Sequence, residues 1–339
     1  MKVARVEKPG TLVLAEVPFP SQPDPDEIIV KMKAVGICGS DVHVYHGRSA
    51  FAAYPRILGH ELAGEVYQTG EKVEHLKVGD RVVIDPVNAC GECYACRNGR
   101  PNICKNIKVL AAHIDGGFQE YFKVKAQNAY KVPDGISWEY AATAEPYTIA
   151  AEAIERGAIR DGDTVLICGA GPIGMVVLQA AKRFHVRIAM LDLVDSRLEI
   201  AKSMGAELTI NPRTCDPNQA ILDFTDGEGV NLIFEATGNI PLIEDCVSKY
   251  ASQGARLVVL GFPPEPAKIA PLDIMKRELE IHGSRLSRRR FPEVLEWLKN
   301  GEVDPSRIIT HTFPFAEIQR AMDLIDQKPS EVCKVLLTF

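Results

Sequence analysis

Short apolar runs separated by turn residues dominate the first ~140 residues of the chain. Runs at 28–35, 66–69 and 81–84 are each predicted to be strands, because β-branched and apolar residues are bounded there by turn-forming residues. Several short strands with turns between them are typical of small all-β units. This part of the chain is therefore predicted to form a β unit of the barrel type.

The pattern changes from about residue 150, where short apolar runs begin to alternate with helical stretches. The apolar runs are at 164–168, 187–191, 208–210, 230–234 and 256–260, with 279–282 as the expected last strand. The predicted helices among them include 172–184 and 196–204. Strands that alternate with helices predict an α/β domain with a doubly wound parallel sheet.

The remaining residues, 285–339, contain two amphipathic helix candidates at 291–299 and 315–325. Because this segment is too short to bury a core of its own, we expect it to pack back on the N-terminal unit. The chain is thus predicted to consist of three parts: a β unit at 1–149 with a cysteine-rich lobe at 88–106, an α/β domain at 150–284, and a returning segment at 285–339.

Composition excludes several classes of protein. The chain has 339 residues, of which 46% are hydrophobic and 25% charged, and its formal net charge is −6. An acidic chain offers no basic face to a phosphate backbone, which argues against nucleic acid as a partner. The sequence contains no run of eighteen apolar residues and no apolar segment near its N-terminus, so we expect neither a membrane span nor secretion, and a cytoplasmic location.

Nine cysteines, an odd number in a chain without a predicted secretion signal, favour reduced thiols or metal ligands over disulfides. Cys90, Cys93, Cys96 and Cys104 have the spacing C-x2-C-x2-C-x7-C. Four thiolates satisfy tetrahedral Zn²⁺ and leave no open position, which predicts a structural zinc site. The first three cysteines also match an iron–sulfur run, but the fourth comes too late and no proline follows it.

A second candidate metal site is dispersed along the chain. Cys38, His60 and Glu61 offer a thiolate, an imidazole and a carboxylate, and three protein ligands leave one position open, as catalytic zinc requires. Adjacent residues in an extended segment point in opposite directions, so His60 and Glu61 need not both bind. Glu145, expected at the domain junction beside a cleft, is the rival carboxylate.

A glycine-rich turn follows the predicted strand 164–168. Its sequence is Gly169-Ala170-Gly171-Pro172-Ile173-Gly174. The first glycine permits the tight turn, the second lets a pyrophosphate approach the backbone, and the third permits close helix packing. The pyrophosphate would lie at the helix N-terminus, where free amides favour anions.

Asp192 ends the next predicted strand, 18 residues after Gly174. A carboxylate there accepts hydrogen bonds from the adenosine ribose and repels a 2′-phosphate, so NAD is predicted rather than NADP. Arg197 is predicted either to contact the adenosine or to be a solvated helix residue.

Taken together, these motifs resemble the zinc-dependent medium-chain dehydrogenase family. The resemblance includes Gly59-His60-Glu61, Cys38 to His43, the four cysteines, the glycine turn, Ala236-Thr237-Gly238 and Val258-Val259-Leu260-Gly261. It implies a GroES-like catalytic domain, a Rossmann domain, a zinc ion in the cleft between them and homo-oligomers, commonly tetramers. It also implies that Thr237 and Leu260 contact the cofactor.

Within the family, Glu61 after the zinc histidine and Glu145-Pro146 resemble the polyol and threonine dehydrogenase branch. Two further segments, 111–118 and 283–286, look closest to sugar-acid dehydrogenases such as those for L-gulonate and L-galactonate, which oxidise the C5 hydroxyl. The expected reaction is oxidation of a secondary alcohol by NAD. The alternatives are a neutral polyol or L-threonine as substrate and, from another class, a non-catalytic NAD- and zinc-binding sensor.

The resemblance also implies a proton relay from Ser40 through the nicotinamide ribose to His43. Ser40 is two residues after Cys38, close enough for its hydroxyl to reach a zinc-bound oxygen, and histidine titrates near neutral pH. Taken alone, Ser40 is better explained as a turn residue and His43 as an exposed histidine.

Arg285 opens the basic run 285–290. A guanidinium suits bidentate binding of a carboxylate, so Arg285 is the predicted anchor for a sugar acid, although a solvated basic face explains the run as a whole.

Overall fold

The computed structural model divides the chain into two compact units. The described residues are 1–49, 52–263 and 265–339. The first unit comprises residues 1–148 and 288–339, and the second comprises residues 149–287. No helix of the described part of the chain has the length and apolar character needed to cross a membrane.

The N-terminal part of the first unit is mainly β-structure. Its strands are β1 (Lys2–Lys8), β2 (Thr11–Glu16), β3 (Glu27–Ile37), β4 (Arg56–Ile57), β5 (Glu61–Thr69), β6 (Arg81–Ile84), β7 (Val87–Asn88), β8 (Lys108–Val109), β9 (Tyr121–Lys125) and β10 (Ala129–Lys131). Its helices are α1 (Gly39–Tyr45), α2 (Tyr94–Arg97) and α3 (Trp138–Ala142), with 3₁₀ turns at Pro101–Ile103 and Ala126–Asn128. Helix α4 (Ala144–Gly157) begins in the first unit and ends in the second.

The second unit alternates strands and helices. The strands are β11 (Thr164–Cys168), β12 (Arg187–Leu191), β13 (Leu208–Ile210), β14 (Val230–Glu235), β15 (Ala251–Val259) and β16 (Glu280–Gly283). The helices are α5 (Pro172–Ala181), α6 (Asp195–Ser203), α7 (Pro217–Phe224), α8 (Ile240–Asp245) and α9 (Pro271–Arg277), with a π-turn at Cys246–Tyr250.

The C-terminal segment adds to the first unit. Its elements are α10 (Phe291–Asn300), β17 (Ile309–Pro314), α11 (Ile318–Gln327) and β18 (Lys334–Thr338), with 3₁₀ turns at Pro305–Arg307 and Phe315–Glu317. Among these, β18 pairs with β3 in the large sheet, so the C-terminal segment adds strands to the sheet that the N-terminal part forms.

The large sheet of the first unit has the order β10-β6-β5-β3-β18-β17, and β9 also pairs with β3. In this sheet Gly36 of β3 pairs with Glu61 of β5 on one side and with Leu336 of β18 on the other. The core beneath it includes Val30, Met32 and Leu62, which are essentially inaccessible to solvent. The register therefore brings the start of β5 and the middle of β18 to the two sides of Gly36.

The second unit contains one parallel sheet in the order β13-β12-β11-β14-β15-β16. Its central strand β11 is buried along residues 165–168, as expected for a sheet covered by helices on both faces. The chain runs outward from β11 in both directions, so the strand order reverses between β11 and β14. The prediction of a doubly wound parallel sheet is confirmed, and its ligand crevice is expected at this reversal.

Four predicted strand bounds coincide with those observed, namely 81–84, 164–168, 187–191 and 208–210. The predicted strand 66–69 is only the end of β5, which begins at Glu61. The early part was missed because Gly64 interrupts the apolar pattern. A Cβ at Gly64 would lie 2.5 Å from the carbonyl oxygen of Lys31, so the strands approach closely there.

The helices of the C-terminal segment were predicted, whereas its strands were not. The predicted helix 315–325 is a 3₁₀ turn followed by α11. Both β17 and β18 escaped prediction because each is short and lies next to a helical pattern.

Candidate active site

Cys38 lies at the junction between β3 and α1. It is the N-cap residue of α1, and its backbone amide donates to Oδ2 of Asp41 at 3.0 Å. The extended backbone at Cys38 ends the strand and starts the helix. The turn therefore presents the Cys38 thiol at the edge of the sheet while Asp41 is buried behind it.

His60 is placed by a glycine and a carboxylate. Gly59 has a φ of +89°, and a Cβ there would lie 2.3 Å from the Phe118 ring. The Gly59 amide donates to Oδ1 of Asp41 at 3.0 Å, and the same oxygen lies 3.5 Å from Nδ1 of His60. With Nδ1 facing Asp41, the ring nitrogen left for a metal is Nε2, and a carboxylate behind a ligating histidine is a common way to orient the ring.

Burial disfavours the charged form of His60, but the Asp41 carboxylate and the Cys38 thiol outweigh burial and raise the His60 pKa well above its usual range. Burial alone would also raise the pKa of Asp41. The His60 ring and the amides of Gly59 and Cys38 overcome it and lower the Asp41 pKa. Asp41 and Cys38 thus favour positive charge at His60, as groups beside a cation site should.

Glu61 is the first residue of β5, and its side chain is 1% exposed. Oε1 accepts from Nζ of Lys334 at 2.5 Å, whereas Oε2 is buried and has no hydrogen-bond partner. A Cβ at Gly36 would lie 1.8 Å from Oε2, so the missing side chain of Gly36 makes the space for this oxygen. An orphaned buried carboxylate oxygen is costly, which is an independent indication that a cation binds there.

The ligand atoms of Cys38, His60 and Glu61 all lie within 4.8 Å of one another. Thiolate, imidazole and carboxylate are the donors that Zn²⁺ prefers, and three of them leave a fourth position open. The sequence left open whether His60 and Glu61 both bind, and the structure brings both into this group. His60 precedes the strand, in the turn that follows Gly59, so the alternation of an extended strand does not apply to the pair.

Glu145 does not belong to this three-residue group. It lies in the first turn of α4 and is 5% exposed. Burial raises the Glu145 pKa to about 7; the Glu61 carboxylate adds to the rise, while His60 and Lys334 oppose it. The ligand carboxylate is therefore Glu61, and Glu145 is a neighbouring acid that titrates near neutral pH.

Ser40 and His43 both lie on α1 and are exposed. Residues three apart on a helix share a face, so the two polar groups lie on one side of α1, just after the ligand Cys38.

The four cysteines of the lobe also come together, with ligand atoms within 4.8 Å of one another. The Sγ atoms of Cys93 and Cys96 are 3.5 Å apart, and those of Cys90 and Cys104 are 3.4 Å apart. The backbone amides of Cys96 and Lys105 lower the Cys93 pKa to about 6. Four sulfur atoms with an amide-stabilised thiolate fit a closed tetrahedral zinc site.

The glycine turn connects β11 to α5, as predicted. Gly169 has a φ of +100°, and a Cβ at Gly174 would lie 1.7 Å from the Gly169 carbonyl oxygen. A Cβ at Gly171 would meet no atom within 4 Å, so the space outside the turn is open. Pro172 and Ile173 begin α5 and are half-buried. The turn therefore leaves room for a phosphate at the helix N-terminus.

The other predicted cofactor residues lie at the carboxyl edge of the same sheet. Asp192 follows β12, and its carboxylate accepts from the amides of Ala170 at 2.6 Å and Val194 at 2.9 Å. Thr237 follows β14 and is exposed, whereas Leu260 follows β15 and is buried.

The two arginines singled out in the sequence both lie in the second unit. Arg197 lies on α6 and is half-buried. Arg285 follows β16 and is also half-buried, and it belongs to the second unit rather than to the segment that returns to the first.

Comparison with known proteins decides the family. Residues 24–134 match the alcohol dehydrogenase GroES-like domain, and residues 172–300 match the zinc-binding dehydrogenase family. The starvation-sensing protein RspB of Escherichia coli K12 is 42% identical, over 100% of this chain and 99% of the relative. The crystal structure of the short chain alcohol dehydrogenase rspB from E. coli CFT073, complexed with cofactor NADH, is similar with a TM-score of 0.95 at 41% identity, over 100% of this chain and 99% of that chain. The chain belongs to the zinc-containing medium-chain alcohol dehydrogenase family.

Two further relatives carry substrate names. Sorbitol dehydrogenase from Bacillus subtilis 168 is 35% identical over 99% of this chain and 97% of the relative. L-galactonate-5-dehydrogenase from E. coli K12 is 33% identical over 100% and 99%. Family membership confirms the predicted GroES-like and Rossmann-type domains and a zinc-dependent oxidoreductase. The structural zinc site is the group of four cysteines, and the catalytic zinc site is Cys38, His60 and Glu61.

Two features of this dehydrogenase were missed by sequence reasoning. Lys334 is 2% exposed and forms a buried ion pair with Glu61. Asp41 orients His60, although it lies within the motif that identified the family. The signal for Asp41 was its place three residues after Cys38 at the start of a helix, whereas no local pattern marks Lys334.

Proposed function

We propose that this dehydrogenase oxidises a secondary hydroxyl group of a sugar acid, such as the C5 hydroxyl of L-gulonate or L-galactonate, with NAD as hydride acceptor. The observation that carries the catalytic part is the open three-ligand group with the orphaned oxygen of Glu61. The substrate class is supported by the L-galactonate-5-dehydrogenase relative and by Arg285.

The residues that would hold the catalytic zinc are Cys38, His60 and Glu61, with Asp41 fixing the orientation of His60. When bound, zinc supplies Lewis acidity and NAD supplies the hydride acceptor. Lys334 neutralises one oxygen of Glu61 and leaves the other free for the metal.

Ser40 is the proposed first acceptor of the substrate hydroxyl proton, and His43 delivers that proton to water. Both residues share one face of α1, and His43 is exposed, as a group that exchanges protons with solvent should be. Ser40→Ala is expected to lower turnover by about 10²- to 10³-fold. Zinc content measured by elemental analysis should not change. Normal turnover would remove Ser40 from the relay.

Asp192 favours NAD over NADP in this proposal. Its carboxylate is fixed by two backbone amides at the end of β12, so its negative charge cannot easily move away from a 2′-phosphate.

Arg285 is the proposed carboxylate anchor. Its guanidinium suits bidentate recognition, and it directly follows the last strand of the cofactor domain. Arg285→Ala is expected to raise KM for a hexonate about 10-fold or more and to leave KM for a neutral polyol nearly unchanged. Equal effects on the two substrates would exclude Arg285 as the anchor.

The deciding experiment measures NADH formation from hexonates, neutral polyols and L-threonine, with NAD and NADP in parallel. Activity confined to hexonates with NAD supports the proposal. The sorbitol dehydrogenase relative favours a second candidate, a neutral polyol, and activity on polyols alone would keep the zinc chemistry and discard the sugar acid. A zinc-loaded protein that binds NADH but turns over no substrate would favour a non-catalytic sensor.

We also propose a homo-oligomer, a dimer or tetramer. Strand β16 is the edge of the parallel sheet, and Ile281 on it is 40% exposed. Leu272 and Met275 on α9 of the same unit are 56% and 68% exposed. An unpaired edge beside exposed apolar side chains favours contact with a second copy. Light scattering after size-exclusion chromatography tests this, and a monomer at micromolar concentration would contradict it.

A further inference from the structure

The last residue of β14, Glu235, is a fully buried acid at the carboxyl edge of the parallel sheet. Its register neighbours are Cys168 at the end of β11 and Val259 at the end of β15. Glu235 therefore lies directly beside the point where the strand order reverses, at the edge where such sheets bind their ligands.

The Glu235 carboxylate is bound by the loop that follows it. Oε1 accepts from the Thr237 amide at 2.7 Å, from the Thr237 hydroxyl group, and from the Gly238 amide at 3.0 Å. Oε2 lies 3.2 Å from the same Gly238 amide. Hydrogen bonds to an ionised acceptor are the stronger kind, so this carboxylate fixes the conformation of residues 237–238.

The backbone of Glu235 fixes a second loop. Its carbonyl oxygen accepts from the amides of Leu260 at 2.8 Å and Gly261 at 3.2 Å. A Cβ at Gly261 would lie 2.3 Å from the Gly238 nitrogen and 2.9 Å from Oε2 of Glu235. The two loops and the carboxylate are thus packed in contact, and a change at Glu235 reaches both.

These loops lie on the opposite side of β11 from the adenosine site. Asp192, the proposed ribose ligand, follows β12, which neighbours β11 on one side, whereas Glu235 ends β14, which neighbours β11 on the other. A dinucleotide bound across the reversal point with its pyrophosphate at the glycine turn places its second half over β14 and β15.

We propose that Glu235 is a positioning residue that holds the 237–238 and 260–261 loops in the conformation that binds the nicotinamide half of the cofactor. This inference rests on the proposed binding of NAD. It separates the cofactor site into an adenosine half, formed by the glycine turn and Asp192, and a nicotinamide half that depends on one buried carboxylate.

The test is Glu235→Gln, with NADH and ADP binding measured by titration calorimetry on the zinc-loaded protein. Glutamine keeps one acceptor oxygen, but it replaces the other oxygen with an NH2 group that only donates and it carries no charge, so the loop loses part of its anchor. The NADH dissociation constant is expected to rise about 10-fold or more, whereas the ADP dissociation constant should stay within about twofold. A merely structural defect would weaken both ligands alike.

Glu228→Gln is the matched control, because Glu228 is exposed and precedes the opposite end of the same strand. It should leave both dissociation constants unchanged. Thr237→Val is a milder second variant that keeps the carboxylate and removes one donor to it, and its NADH dissociation constant should rise about threefold.

Unchanged NADH binding in Glu235→Gln, or equal weakening of NADH and ADP, would overturn the positioning role while leaving the proposed NAD function intact. Should Glu235→Gln fail to fold, wild-type NADH affinity in Thr237→Val would overturn it. Failure of the wild-type protein to bind NADH would remove both the inference and the proposed cofactor.

Discussion

The two metal-binding groups of the first unit are built in opposite ways. The four cysteines come from one stretch, residues 90–104, and range from exposed to buried. Cys38 follows β3 while His60 and Glu61 lie at the start of β5, and the Lys334 that pairs with Glu61 is 273 residues away in the sequence. One site is made by local chain geometry, and the other is made by strand register.

This difference explains what each site can do. Local loops with four thiolates close around a metal and leave nothing for a substrate. The register of β5, β3 and β18 instead places Glu61 beside Gly36 and brings Lys334 to the Glu61 carboxylate, within the buried core. The ends of β3 and β5 present three ligands without providing a fourth, which is the requirement for catalysis.

The strongest test of the comparison is Cys38→Ser. Serine is a poor zinc ligand, so one zinc ion per chain should be lost and turnover should fall about 10³-fold or more, while the cysteine-rich lobe keeps its metal. Elemental analysis and NADH formation check both outcomes. Cys215→Ser, at an exposed cysteine, should change neither. Loss of both metals in Cys38→Ser would show that the two sites are not independent.

The next largest effect is expected for Lys334→Met. This change removes the buried ammonium group that pairs with Glu61 and should cost about 3–5 kcal/mol of unfolding free energy. The loss should grow after treatment with a chelator, because the carboxylate then has neither cation. Denaturant unfolding measures it.

Lys328→Met is the control for that experiment. Lys328 pairs with Glu331 at 3.1 Å on the surface, where both side chains are more than half exposed. Exposed pairs contribute about 1 kcal/mol or less. Equal effects of the two substitutions would contradict the central place given to the Lys334–Glu61 pair.

Asp85 lies between β6 and β7, in the segment between the large sheet and the cysteine-rich lobe, and is 4% exposed. A substitution there tests how a buried acid affects the stability of the first unit. Burial raises the Asp85 pKa to about 6, against the opposing Val87 amide and Arg289. The folded protein therefore keeps a proton that the unfolded chain has lost, and this group makes the fold less stable as pH rises from about 4 to about 6.

Asp85→Asn should remove that loss and stabilise the protein at pH 7 by about 2–3 kcal/mol, with no gain below about pH 4. Unfolding at several pH values measures the difference. Asp134→Asn, at an exposed position, should show no such trend. A gain that is the same at all pH values would contradict the assigned cause.

The smallest effect on turnover is expected for Cys93→Ser. The lobe should lose its zinc. Because the group of Cys38, His60 and Glu61 does not use that zinc, turnover should fall by no more than about 10-fold. Zinc content and activity are the measurements. A loss of turnover as large as that of Cys38→Ser would show that the lobe supports the catalytic site directly.

The sequence could predict those parts of the molecule that are formed by residues close together along the chain. The spacing of Cys90 to Cys104 predicted the zinc lobe in full, and the glycines from Gly169 to Gly174 predicted the cofactor turn. Each strand of the parallel sheet has its own apolar run, which is why three of their bounds and the doubly wound order could be anticipated.

The parts that depend on register could not be predicted in this way. Whether Glu61 or Glu145 is the ligand follows from the turn at Gly59 and the space above Gly36, and neither is visible in spacing. Lys334 resembles any strand-edge lysine in the sequence, because its partner is brought to it only when β18 pairs with β3.

The position of β18 between β3 and β17 also orders events during synthesis. The zinc ligands emerge from the ribosome early, but Lys334 is made 273 residues after Glu61. At about 5–20 residues per second, the nascent chain waits roughly 14–55 s before that lysine exists. During this interval the 34–37 end of β3 lacks its last neighbour, and Glu61 depends on zinc alone for a counter-charge. Early binding of zinc would then stabilise the partly formed sheet until β18 has been synthesised.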